Sequence, residues 1–188
     1  MIDASLGRAS CCGFPPGMQP MPFPPRPNPP VPLPRTEPDA IQIRLATAQT
    51  ALANGAAIPL SGVVRQIGSG LTYDTANRAV SVNEAGVYQF AWHVLVQAAA
   101  AAPVIALQSL DGQTVLGYSG IPASAAESGA VVSGSAVADL PAGSAWVLVN
   151  ATGETIDIPV AGTAPAAFAA SLTVTQVGGD SRRGIAAR

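Results

Sequence analysis

Residues 86–96 read GVYQFAWHVLV, with Tyr88, Phe90, Trp92, Val94 and Val96 at every second position. A strand sends alternate side chains to opposite faces, whereas a helix would scatter these five around its circumference. The segment must therefore be a strand with one strongly apolar face. Shorter runs repeat the pattern: AIQIRLA aligns Ile41, Ile43 and Leu45, AVSVN aligns Val80 and Val82, and SLTVTQV sets Leu172 and Val174 against Ser171, Thr173 and Thr175. AWVLVN, residues 145–150, reads as a further strand. Turn-forming stretches separate these runs: GSG at 68–70, NEAG at 83–86, LDGQ at 110–113, LPAGS at 140–144 and NATGE at 150–154. Pro59, Pro103, Pro122, Pro141 and Pro159 fall at or near run ends, where strands tolerate proline. One stretch, TAQTALANGAA at 47–57, is alanine-rich enough to predict one or two helical turns. Short strands at such spacing predict an all-β sandwich or barrel over residues 40–178, and a jelly roll of roughly eight to ten strands fits the length.

The chain ahead of this domain has a different chemistry. Half of residues 15–38 are proline, a composition that favours extended polyproline II at about 3.1 Å per residue, or a reach on the order of 70 Å. A passive linker and a connecting arm are both consistent with it. The expected division is a connector over 1–13, disordered or forming a short docking strand, then a proline-rich arm over 14–39, the β-domain over 40–178 and a flexible tail over 179–188. Cys11 and Cys12 are the only cysteines and are adjacent. Adjacent residues close a disulfide with each other only through a strained ring, since its α-carbons prefer to lie about 4.4–6.8 Å apart. They remain free thiols or pair with the same residues of other chains.

Composition excludes several functions. Apolar residues make up 48% and charged residues 11%, and the formal charge is −2, so no basic footprint for nucleic acid is present. The apolar run 94–107 is broken by Gln97 and Pro103 and is too short for a membrane span of about 20 residues. MIDASLGRAS lacks the basic start and apolar stretch of a signal peptide, so synthesis in a cytoplasm without such a signal is expected. Every basic residue is arginine, and the absence of lysine removes P-loop and Schiff-base chemistry. His93 is the only histidine, on the more polar face of its strand beside Gln89, where a structural role is expected. No GxSxG elbow, metal-ligand cluster or cofactor motif is present, and Asp74, Asp111, Asp139, Glu154 and Asp157 are scattered. The GSG at 68–70 reads as a turn, not a dinucleotide loop. The expected reading is a protein that is not an enzyme and has no metal or cofactor. NAT at 150–152 fits the N-glycosylation pattern by chance.

GVYQFAW, residues 86–92, resembles the G-x-Y-x-F-x-aromatic signature of the globular heads of the complement-q and tumour-necrosis-factor superfamily. LTYDTANRAVSV ahead of it, LPAGSAWVLVNAT late in the chain and AASLTVTQV at its close look like the companion strands of those heads. The likeness spans about residues 40–177, with its nearest flavour in the heads of collagen-like exosporium proteins of the BclA type. It implies a jelly-roll sandwich that assembles as a homotrimer through a largely apolar threefold interface. Gly86 would then permit a tight start to the strand, and Tyr88, Phe90 and Trp92 would fill the core or the inter-subunit seam. Two departures stand out: Ser144 replaces a frequent aspartate, and the proline-rich arm stands where a collagen-like region would precede the head.

The arm faintly resembles, in composition, the leader that attaches exosporium proteins to spores, and the cysteine-bearing N-terminus resembles the connector of bacterial endospore appendage subunits. These resemblances imply a structural subunit of a bacterial surface fibre or coat on a cell or spore. Its partners would be other copies, first as a trimer and then as a polymer, and other spore-surface proteins. Cys11 and Cys12 would cross-link chains, while Ile2 and Leu6 would belong to the tip that inserts into the next head by strand addition. The alternative is a trimeric ligand- or receptor-binding head, displaying loops such as residues 119–129 on a proline-rich stalk.

Overall fold

The computed structural model describes residues 38–97, 101–126, 129–160 and 169–179. Ile2, Leu6, Cys11, Cys12, the proline-rich stretch as far as residue 37 and the tail from residue 180 lie outside the described residues.

Twelve strands are described: β1 (Ala40–Leu45), β2 (Gln49–Leu52), β3 (Gly62–Ile67), β4 (Leu71–Asp74), β5 (Ala79–Val82), β6 (Gly86–Val96), β7 (Val104–Ser109), β8 (Val115–Gly120), β9 (Ala130–Leu140), β10 (Ala145–Asn150), β11 (Ile156–Ile158) and β12 (Ala170–Gly179). A single helical turn, α1 (Ala123–Ala126), follows β8. The first sheet has the order β3-β1-β12-β6-β9 and the second β4-β5-β10-β7-β8, while β11 and β2 form a small pair. Every pairing is antiparallel. The chain passes repeatedly from one sheet to the other, and this all-β architecture is a jelly-roll sandwich.

The alternating residues meet between the two sheets. Ile41, Ile43 and Leu45 of β1, Tyr88, Phe90, Trp92, Val94 and Val96 of β6, and Leu172 and Val174 of β12 turn inward. Val80, Val82, Leu107, Trp146 and Leu148 face them from the second sheet. Phe90 and Trp146 meet edge to face across the gap, with ring centroids 6.4 Å apart and planes at 62°. Such a pair contributes about 0.5–1.5 kcal/mol beyond the area it buries. A smaller apolar cluster, Ala106, Val147 and Val149, lies apart from this core.

Residues 47–57 differ from the helical expectation: they form β2 and a turn. β2 pairs with β11, and the Ala51 amide donates to Asp157 Oδ1 at 2.7 Å. The segment from Gly55 to Ile58 then bonds along β10 through Gly55 N to Asn150 O, Asn150 N to Ala56 O and Ile58 N to Leu148 O. Alanine propensity is a weak preference, and a segment with no apolar stripe gains more from long-range pairing than from an unsupported helix. The β2–β11 pair also takes the strand number above the eight to ten expected.

Asn150 gives the NAT triplet a structural role. Its side chain is fully buried, donates to Leu52 O at 2.9 Å and Glu154 O at 2.7 Å, and accepts from Thr152 N at 3.0 Å. Ser144, at the position of the expected aspartate, donates to Pro141 O at 2.8 Å and accepts from Trp146 Nε1 at 3.1 Å. A carboxylate could accept from Trp146 but could not donate to Pro141.

Candidate functional site

Residues opposite one another in an antiparallel register share a face, so the outward surface of the first sheet can be read row by row. One row holds Ala40, Thr175, Gln89 and Val137, the next Gln42, Thr173, Ala91 and Ser135, and the third Arg44, Ser171, His93 and Ser133. Small and hydroxylic side chains dominate, and the basic members are Arg44, His93 and, where β3 extends the second row beyond Gln42, Arg65. His93 is exposed, with Nδ1 3.0 Å from Ser133 Oγ.

This face ends in β9. The strand is eleven residues long, contains neither proline nor lysine, and runs along β6 from Ala130 to Leu140 without a shift in register. It is an edge strand, and Val131 and Val137 are 52% and 64% exposed on its outward side. Long regular edges of this kind are usually shortened, kinked or charged, because they invite association. Between the buried Val132 and Leu140 its inward residues are small (Gly134, Ala136 and Ala138), and at Gly134 the Trp92 ring takes up the space beneath the strand. A Cβ added to Gly134 would lie 2.3 Å from the Trp92 ring. Trp92 Nε1 donates to Ser119 Oγ at 2.7 Å, which ties β6 to the edge strand of the second sheet.

Tyr88, Phe90 and Trp92 are wholly buried within one chain. The Tyr88 hydroxyl donates to Glu84 O at 2.7 Å, and burial raises its pKa. Gly86 is also buried, and its backbone is not in the left-handed region. A Cβ there would meet Gly178 O at 2.8 Å, so what this position requires is close approach to β12.

Two of the scattered carboxylates, Asp74 and Asp111, serve local turns. Asp74 accepts from Ala76 N, Asn77 N and Asn77 Nδ2, and the bond from the Asn77 side chain leads in holding its pKa below the usual value. Asp111 is lowered chiefly by the Ser109 hydroxyl. Among the described residues no group of three or more His, Cys, Asp or Glu is placed to hold a metal ion. Nor, among them, is any helix long and apolar enough to cross a membrane.

The exposed β9 valines were missed by sequence reasoning, although AVVSGSAVADL does alternate. The middle of its inward face, Gly134, Ala136 and Ala138, carries no apolar signal, and Val132 and Leu140 stand too far apart to mark a strand.

No sequence-family profile and no curated protein matches the chain. Solved structures do. The globular domain of zebrafish complement 1qA protein superposes with a TM-score of 0.54 at 15% identity, covering 74% of this chain and 97% of that domain. Eiger TNF from S. frugiperda gives 0.60 at 12% identity, with 76% and 95% covered. Murine APRIL at pH 8.0 gives 0.54 at 13%, with 75% and 100% covered. The jelly roll of this chain therefore has the complement-q/TNF-like fold.

Proposed function

We propose that this protein is a structural, self-assembling subunit whose heads trimerise and are then joined head to tail into a fibre or coat on a bacterial surface. The observation that carries the first step is β9, an unpaired edge that exposes Val131 and Val137 beside a face of small, mostly uncharged side chains. Covering what remains exposed of one such valine contributes about 1–2 kcal/mol, and few charges on these rows oppose the approach of a second copy. The complement-q/TNF-like fold supports a closed threefold assembly over an open chain of heads. Among the described residues, His93 Nδ1 meets the Ser133 hydroxyl, Asp74 and Asp111 serve turns, Asp157 serves the β2–β11 pair and Asp39 holds Gly70 N.

The second step rests on the sequence. Cys11 and Cys12 have no other cysteine to pair with in their own chain, and three chains bring six thiols together at one end. Inter-chain disulfides there would hold the proline-rich arms, leaving residues 1–10, with Ile2 and Leu6, to engage the next head. An endospore appendage or exosporium is the setting that fits a chain with these compositional likenesses.

Sedimentation of the reduced full-length protein is expected to give a trimer, and Val137→Arg is expected to weaken it by at least about tenfold. A monomeric wild-type chain would sink the reading at its first step. Electron microscopy of the oxidised protein should show fibres that are lost or fragile in the Cys11→Ser, Cys12→Ser double variant. Discrete trimers in both samples would favour the ligand-binding head instead.

A further inference from the structure

Asp39 and the Gly68-Ser69-Gly70 loop form an arrangement that neither assembly nor the main core requires. Asp39 stands immediately before β1 and is buried, at 8% exposure. Its Oδ1 accepts from Gly70 N at 2.9 Å, and its backbone carbonyl accepts from Gln176 N of β12 at 2.8 Å. The carboxylate sits where side chains at the two glycines would be. A Cβ on Gly68 would lie 1.8 Å from Oδ1, and one on Gly70 would lie 2.2 Å from Oδ2. Gly68 also takes a φ of 72°, which glycine adopts without strain. The loop is held from its other side, since Asn83 N donates to Gly70 O at 2.7 Å and Asn83 Nδ2 to Ser69 O at 2.8 Å.

From this geometry we infer that Asp39 and the 68–70 loop are a clasp that locks the N-terminal end of β1 to the head. β1 enters the first sheet at Ala40, between β3 and β12. A pull on the preceding chain would otherwise peel β1 away one residue at a time, breaking its ladder bonds in sequence. With the carboxylate seated, the side chain of Asp39, the loop and β12 must part before Ala40 can move. The two glycines make the seat and the loop's Asn83 contacts keep it in place. As a joint under tension the clasp rests on the reading that residues 1–37 connect subunits; as a lock on β1 it does not.

Hydrogen exchange on the full-length protein tests it, comparing wild type with Asp39→Ala, Asp39→Asn and Gly70→Ala. In Asp39→Ala and Gly70→Ala the amides of β1 and of residues 68–70 should exchange at least about tenfold faster, with β7 and β10 unchanged. Asp39→Asn keeps an acceptor for Gly70 N and should fall between them and wild type. β1 exchange within about twofold of wild type in both severe variants would overturn the clasp, as would equal acceleration of every strand. If Gly70→Ala does not fold, Asp39→Ala and Asp39→Asn alone carry the comparison. The trimer and fibre measurements are independent of this outcome, so failure of the assembly reading and failure of the clasp are separately visible.

Discussion

Trp92 shows how one side chain dictates its neighbours. Its ring lies beneath β9, and its indole nitrogen bonds to Ser119 at the edge of the second sheet. Gly134→Ala would place a methyl group 2.3 Å from that ring, so Trp92 or β9 must move. The expected cost is roughly 1–3 kcal/mol, read as a lower midpoint in denaturant with the m-value unchanged. Tyr73 supplies a prediction in pH. Its hydroxyl donates to Leu60 O, and burial, partly offset by Arg78, pushes its pKa from 10.0 up to about 12. Because the folded-state pKa is raised, the associated stability is fully present below pH 10 and is lost as pH rises towards 12. Denaturation midpoints should therefore fall above pH 10, and Tyr73→Phe should shrink that fall. Neither effect is legible in the sequence, since a glycine and a tyrosine in strands name no partner until the opposite sheet is in place.

Among the elements, legibility tracked the size of the alternating side chains. β6, β1 and β12 announce themselves because bulky apolar residues recur at successive inward positions, Tyr88 to Val96, Ile41 to Leu45, and Leu172 with Val174. β9, though as long as β6, was silent because Gly134, Ala136 and Ala138 fill the middle of its inward face between Val132 and Leu140. β2 was misread because alanine favours a helix locally, while its pairing with β11 depends on residues about a hundred positions away. That pairing leaves a cost behind: Ala51 takes a φ of 52°, in the left-handed region. Ala51→Gly should relieve it and raise stability by roughly 0.5–1 kcal/mol, measurable as a higher denaturant midpoint. An unchanged or lower midpoint would mean that the strained backbone is worth less than the chain freedom lost at glycine.

At the scale of the whole molecule, composition and topology act together. A chain with 11% charged residues has few charges with which to blunt a sheet edge, and β9 is left regular, uncharged over most of its length and last in its sheet. The proposed association of copies would cover that edge, and the Val137→Arg comparison weighs it against the rest of the surface. The sequence by itself determined the fold class, because period-two alternation of large apolar residues can be buried only by strands facing strands. It also determined the inventory of side chains, with a single histidine and no lysine. Tertiary structure alone decided that Tyr88, Phe90 and Trp92 are buried within one chain, that β9 is an edge, and that Asp39 is received by two glycines some thirty residues further on. Those facts depend on which strands become neighbours, and neighbours are chosen by the packing of the whole sandwich, which no local stretch of sequence contains.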